Sequence, residues 1–355
     1  MSSTTDYAIS LADVEAAAKR ISGFVHRTPV LTSHSLDAMA TAAGNGDAKC
    51  LFFKCENLQK VGAFKYRGAL NAVKKFLQEK KEKREERDTI FVTHSSGNHA
   101  QALALAARDA DCKAVIIMPN NAPSVKKNAV QSYGAQVVLC APTNEARQQA
   151  ANEMVEATGA HFVHSSNDPD VMSGQGTVAL ELLDQVKHEY GVTLDAIIVP
   201  IGGAGLCSGV AMAAKSVQPG IKVFAVEPTG AADAYNCFQK RQLMGHTSPV
   251  NTVADGLRTT LGTETLALDE CETTPTNERD NNWPIVRDFV DDILLVSDDE
   301  IVSAMKLIWE RMKLVVEPSG AVATAAVLAN KLSAGINNVG IVFSGGNVDL
   351  EKLPW

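Results

Sequence analysis

No apolar run in this sequence approaches the ~18–20 residues of a membrane-spanning helix. The first residues, MSSTTDYAISLADVEAAAKRI, carry an early Asp and no apolar core, which argues against a secretory signal. Cysteine is scattered. The seven residues, Cys50, Cys55, Cys112, Cys140, Cys207, Cys237 and Cys271, form no CxxC pair. An odd number of thiols with no signal ahead of them favours reduced, buried cysteines in a cytoplasmic protein over a disulfide framework. Basic charge is also short, with 33 Lys and Arg against 41 Asp and Glu and a net charge of −8. Nucleic acid needs a basic face and is excluded as the main partner, though a locally basic pocket for a small anion is not. The sequence has neither the GxxxxGK[ST] of a P-loop nor a GxGxxG dinucleotide fingerprint, and no solenoid repeat.

What is present is a soluble globular composition, 45% hydrophobic and 21% charged, in a 355-residue chain long enough for two domains. Short apolar runs such as TIFVTH (89–94), KAVIIMP (113–119), AQVVLC (135–140), AIIVPI (196–201), KVFAVEP (222–228) and GIVFSGG (340–346) alternate with stretches of helical composition. That alternation predicts α/β architecture, with two doubly wound, mostly parallel sheets covered on both faces. One unit is expected over 87–163, the other over 1–86 plus 164–355. EKKEKREERD (79–88) reads as an exposed helix end and linker, and the segment around 263–282 as a long surface loop.

Five stretches carry chemistry. In KVGAFKYRG (60–68), Lys65 follows Phe64 and a segment, LFFKCENLQ, that reads as a buried strand and turn. An amine carried inward needs a reason. PIGGAGLCSGV (200–210) runs a strand into Gly202, Gly203, Ala204 and Gly205, with a helix from Leu206. Small residues there allow close approach, and free amides at the helix start favour an anion such as phosphate. An ordinary Gly-rich turn is the competing reading. THSSGNHAQALALAA (93–107) offers Ser95, Ser96, Gly97, Asn98 and His99 at a helix N-terminus, a set of donors suited to a carboxylate. An ordinary N-cap accounts for one of the five. IVFSGGNVDL (341–350) places Ser344 at the carboxyl end of a strand, where open α/β sheets bind ligands. VEPTGAADAY (226–235) sets Glu227 and Asp233 near a helix start, either as decoration of the helix dipole or as ligands of a hard cation. A buried lysine, a phosphate cup, a carboxylate turn and a hydroxyl at a strand end together suit pyridoxal 5′-phosphate (PLP).

In this order, F-K (64–65), SSGNH (95–99), GGAGL (202–206) and SGGN (344–347) resemble the fold-type II PLP enzymes, the tryptophan synthase β-like family. The resemblance is strongest to its serine racemase and serine/threonine dehydratase branch, above all to the eukaryotic serine racemases. It runs from TPVLTS (28–33) through GQGT (174–177), VADGL (253–257) and WERMKLVVEPSGAVA (309–323) to SGGNVDL (344–350). It implies that the PLP site lies in the cleft between the two domains, with the smaller one mobile. It also implies a homodimer that racemises serine and, as a side reaction, eliminates water to give pyruvate and ammonia. A serine/threonine or 3-hydroxyaspartate dehydratase, or an aspartate racemase, is the alternative.

Residue by residue, Lys65 resembles the Schiff-base lysine and the base on one face of the substrate, with Phe64 beside the ring. Gly202, Gly203, Ala204, Gly205 and Leu206 match the phosphate cup. Ala204 stands where a glycine is often found, a change that fits if its φ is negative. Asn98 matches the partner of the cofactor's 3′-oxygen and Ser344 that of the ring nitrogen. Ser96 resembles the base on the second face, which racemisation requires. Ser95, Gly97, His99 and Arg147 match the substrate side. Arg147 suits a second carboxylate, and Ser165 and Ser166 replace a common Pro-Asn. Glu227, Ala231 (through its carbonyl) and Asp233 match a divalent-cation site for Mg²⁺, Ca²⁺ or Mn²⁺. Lys60, Gln101, Lys126, Tyr133 and Asn347 match an activating ATP site between subunits, with Val61 in place of a hydroxyl residue.

Overall fold

Strands form where β-branched and aliphatic residues run together between Gly, Pro or polar turns. The computed structural model describes residues 7–44, 47–84, 89–262 and 280–355. Among these the strands are β1 (Val30–Leu31), β2 (Cys50–Cys55), β3 (Ile90–His94), β4 (Lys113–Pro119), β5 (Gln136–Cys140), β6 (His161–Phe162), β7 (Ala196–Pro200), β8 (Lys222–Pro228), β9 (Asp292–Val296) and β10 (Asn338–Phe343). They build a six-stranded sheet in the order β1-β2-β10-β7-β8-β9 and a four-stranded sheet in the order β5-β4-β3-β6. Every neighbouring pair is parallel except β1 with β2. The smaller sheet uses one continuous stretch of chain, and the larger one takes the chain before and after it. Most of 263–282, the segment read as a loop over the site's mouth, lies outside the described residues. No described helix is long and apolar enough to cross a membrane.

Parallel sheets present the carboxyl ends of their strands to ligands. Here the residues at or just beyond the ends of β3, β6, β7 and β10, namely His94, His164, Pro200 and Ser344, border a single cleft. Both sheets therefore deliver their functional turns to one place.

The helix Pro169–Tyr190 starts well before its sequence pattern suggests and carries GQGT in its interior. Glycine there costs about 1 kcal/mol in helix propensity, so the pair needs a packing reason. A Cβ on Gly174 would stand 2.6 Å from the Cα of Gly68 on the helix Lys65–Glu82, and one on Gly209 would stand 2.3 Å from the Met172 carbonyl oxygen. Bare backbone lets three helices touch directly, and one of them begins with Lys65. Gly174→Ala is expected to lower stability by about 2–3 kcal/mol through overpacking, read as a drop in the urea midpoint. An unchanged midpoint would show that these helices part freely.

Candidate functional site

A cleft of about 1020 Å³ lies at the meeting of the two sheets' strand ends. Lys65 enters it from the start of its helix. The approach is pinned from both sides, since the Phe64 amide donates to the Ser344 carbonyl at 3.0 Å and Ala63 bridges to Gly345. The Lys65 amine donates to the Ser165 carbonyl at 2.7 Å and stands 5.1 Å from the centre of the Phe64 ring. Loss of water pulls its pKa down from 10.5 to about 8. A lysine so placed supplies neutral amine near physiological pH, as a nucleophile or proton carrier must.

Facing it is the glycine cup. A Cβ on Gly203 would come within 2.6 Å of the Ser166 hydroxyl, and one on Gly205 within 2.8 Å of the Ser166 carbonyl. The helix Gly205–Val217 starts here with no acidic residue in its first turn and no side-chain cap, leaving its first amides to an anion. Ala204 departs from expectation. Its φ is +62°, in the left-handed region, so the alanine is not accommodated by a negative φ. It holds a conformation that costs an L-residue about 1–2 kcal/mol.

The turn after β3 places Ser95, Ser96, Gly97, Asn98 and His99 along the same cleft. Gly97 is the N-cap of the helix Asn98–Arg108 and provides no side-chain cap, so the four polar side chains around it are not explained by capping. Asn98 donates to Glu317 Oε1 and accepts from the Asn347 amide, both at 2.9 Å, joining the small sheet's turn to the large sheet's loops. Ser344 is buried, with its hydroxyl 3.4 Å from the Ser319 carbonyl. Arg147 also borders the cleft, and its hydrogen bonds go to the Thr143 carbonyl and Asn144.

The residues matched to a nucleotide do not all converge. Gln101, Lys126 and Asn347 border the cleft, and Lys126 pairs with Asp255 at 3.0 Å. Lys60 instead lies 3.5 Å from Asp109, and the Tyr133 ring takes the Arg108 guanidinium at 5.7 Å. Glu227, Ala231 and Asp233 form a separate buried cluster. The Glu227 carboxylate accepts the Ala234 and Tyr235 amides, and Asp233 accepts the Leu261 amide at 2.6 Å. Burial drives both acids upward, and Asp233 adds its repulsion to Glu227. Asp233 Oδ1 accepts no hydrogen bond, and the His246 ring nitrogen stands 3.4 Å from it. Two abutting buried carboxylates fit a cation. Among the described residues no three His, Cys, Asp or Glu side chains converge on one, so backbone oxygens would complete its shell.

Two residues at the cleft were not singled out from sequence. Glu317 is buried with its carboxylate between Asn98 and the Asn347 amide, and burial followed by the Asp255 charge pushes it up to about 8. Its signal was an acid inside the apolar run VVEPSG, just before a proline that opens a helix. His164 accepts the Ser166 and Asn167 amides on Nδ1, and burial with nearby His94 and Lys65 pushes it down to about 4.

Because Glu317 is raised on folding, the unfolded chain loses its proton first, and stability falls as pH rises from about 4.5 to about 8. Glu317→Gln is expected to remove that slope, worth up to about 5 kcal/mol. Urea denaturation at pH 5 and pH 8 reads it, and equal slopes in variant and parent would show that the acid is ionised throughout.

Residues 21–345 match the family described as "Pyridoxal-phosphate dependent enzyme". The chain is 44% identical to human serine racemase over 353 residues, which is 98% of this chain and 94% of the relative. The structure of maize serine racemase superposes with a TM-score of 0.85 at 42% identity, covering 97% of this chain and 95% of that one. A crystal structure of a pyridoxal 5′-phosphate-dependent aspartate racemase gives a TM-score of 0.84 at 37% identity, with 99% of both chains covered. The cup, the desolvated lysine and the uncapped serine turn are what such a cofactor needs, and the chain belongs to the family of pyridoxal-phosphate dependent enzymes.

Proposed function

We propose that this protein interconverts L- and D-serine, with elimination of water to pyruvate and ammonia as a side reaction. The observation that carries the reading is one cleft bordered by a desolvated amine, Lys65, and by the hydroxyl of Ser96. PLP, when bound, supplies the electron sink that makes the substrate Cα–H acidic. Lys65 carries the proton at one side of Cα and Ser96 at the other. The Ser95 amide donates to the Ile117 carbonyl and the Gly97 amide to the Ser95 hydroxyl, so the Ser96 and Asn98 amides would orient the substrate carboxylate, and the Gly202–Leu206 cup would hold the cofactor phosphate. Ser344 would offer the cofactor's ring nitrogen a neutral hydroxyl partner, which would leave the electron sink weaker than a carboxylate partner would.

A second reading, action on aspartate or 3-hydroxyaspartate, is favoured by Arg147. This cleft-lining cation has no carboxylate partner among the described residues and suits a second acidic group. Product analysis on L-serine, L-aspartate and L-threonine separates the two readings. L-serine is expected to yield both D-serine and pyruvate. Ser96→Ala is expected to lower racemisation on the order of 10²-fold or more, while the cofactor's visible band, absent in Lys65→Ala, persists. Pyruvate without any D-serine would end the racemase reading.

We also propose that Glu227, Asp233 and the Ala231 carbonyl hold Mg²⁺ or a similar divalent ion. A cation there would let both carboxylates ionise inside the fold. Millimolar Mg²⁺ is expected to raise the melting temperature, and Glu227→Gln to abolish that rise. An equal rise in the variant would place the ion elsewhere. Gln101, Lys126 and Asn347 support a nucleotide at the cleft's edge, whereas Lys60 and Tyr133 are engaged elsewhere. Equilibrium dialysis against ATP, with and without Lys126→Ala, decides the point, since unchanged retention would exclude Lys126.

A further inference from the structure

Arg67 is the largest side chain that is fully buried, and it lies two residues beyond Lys65 on the same helix. Its Nε and Nη2 donate to the two oxygens of Glu56 at 2.7 and 2.8 Å. Its Nη1 and Nη2 donate to the two oxygens of Glu181, each at 2.8 Å. The His26 carbonyl and the Thr177 hydroxyl take further bonds. Glu181 accepts a second cation, Lys54, at 2.7 Å, and Lys54 spends its other protons on the Thr28 carbonyl and Gln185. The Thr28 hydroxyl closes the circuit on Glu56. Two cations and two carboxylates thus form a neutral, hydrogen-bonded cluster inside the fold.

The first turn of the helix at Lys65 needs such support. Phe64, its N-cap, gives no side-chain cap. The chain before it is strained, with β-branched Val61 at φ +57° followed by Gly62 at φ +70°. A helix start of this kind frays when nothing holds it. Glu56 and Arg67 bracket the segment, so the chain leaves β2, passes through Val61 and Lys65, and is closed on itself by a two-pronged ion pair. Gly68 adds a second tie, its amide donating to Gln175 at 3.1 Å. Buried ion pairs are often replaceable by apolar groups without loss of stability, so their distinctive contribution is fixed geometry. An arginine fork supplies direction that a lysine cannot.

We propose that Arg67, gripped by Glu56 and Glu181, is a positioning residue for Lys65 that fixes where its amine stands in the cleft. This rests on Lys65 being the amine that binds the cofactor. The test uses the full-length holoenzyme and two variants. Arg67→Lys keeps the charge and loses the fork, and the double variant Glu56→Gln/Arg67→Met removes both charges at similar volume. Three readouts apply: melting temperature, the pH midpoint of the cofactor's visible band, and kcat and KM for serine. The double variant is expected to melt within a few degrees of the parent, with the band's midpoint moved and kcat lowered on the order of 10²-fold at similar KM. Arg67→Lys is expected to fall between the two. A folded double variant with parental kcat and band midpoint would overturn the proposal. Should both variants fail to fold, Glu181→Gln, which leaves the Glu56 prongs in place, gives the same readouts, and parental values there overturn it equally. A parent protein whose band survives in Lys65→Ala would instead refute the assignment of Lys65, and the proposal with it.

Discussion

The structure depends on placing one half-buried amine at the cleft without giving it a counter-ion. The pKa of Lys65 is lowered by desolvation alone, and its bond is to a backbone carbonyl, that of Ser165. A carboxylate beside it would have raised the pKa and spent the amine on an ion pair. Carbonyl contact and burial hold it in place while leaving it reactive. That arrangement needs a helix that starts at the cleft, a loop before it pinned to the Ser344 turn, and a neighbouring helix close enough to seal water out. The bare contact of Gly68 with Gly174 satisfies the last of these.

Much of this was legible in the sequence because the functional turns are local. GGAGL, SSGNH and SGGN each follow an apolar strand directly, so strand ends and turns could be placed together, and the parallel architecture follows from strands alternating with helices. Long-range facts were less legible. The helix Pro169–Tyr190 hid its first turns, because two glycines needed for close packing look like loop residues. Strand β9, DILLV, is short and followed at once by Ser297, which caps the next helix, and by the acids of that helix's first turn, which masks its alternation. Glu317 sits within the apolar run VVEPSG, which by itself assigns it no role. Its meaning comes from Asn98 and Asn347, hundreds of residues away or on another loop, and no local pattern encodes that. The φ of Ala204 was misjudged because left-handed backbone is a property of the turn, and alanine gives no sign of it.

The ionisable groups at the cleft share a tendency. Burial pulls Lys65 and His164 down and pushes Glu317 up, so lysine, histidine and glutamate are each drawn toward their neutral forms. His99, beside Lys65, is driven down in the same way. Lys65, His99 and His164 therefore offer little positive charge to an anion, while Lys126, Arg147, Arg258 and Lys352 also border the cleft. On the proposed reading, the anionic groups of cofactor and substrate would instead be met by backbone dipoles, the first amides of the helix at Gly205 and the amides of Ser96 and Asn98. Dipoles fixed in place by the fold need no rearrangement when charge shifts during a reaction, and they act strongly where water is scarce. Arg147 is one of these bordering cations, a half-buried guanidinium whose hydrogen bonds run to a carbonyl and an amide rather than to an acid. If the main anions are already met by backbone, a free cation at the edge has work only with a substrate that brings a further negative group. On the proposed reading, the choice between serine and an acidic amino acid would turn on Arg147, and the cup and the lysine would serve either equally.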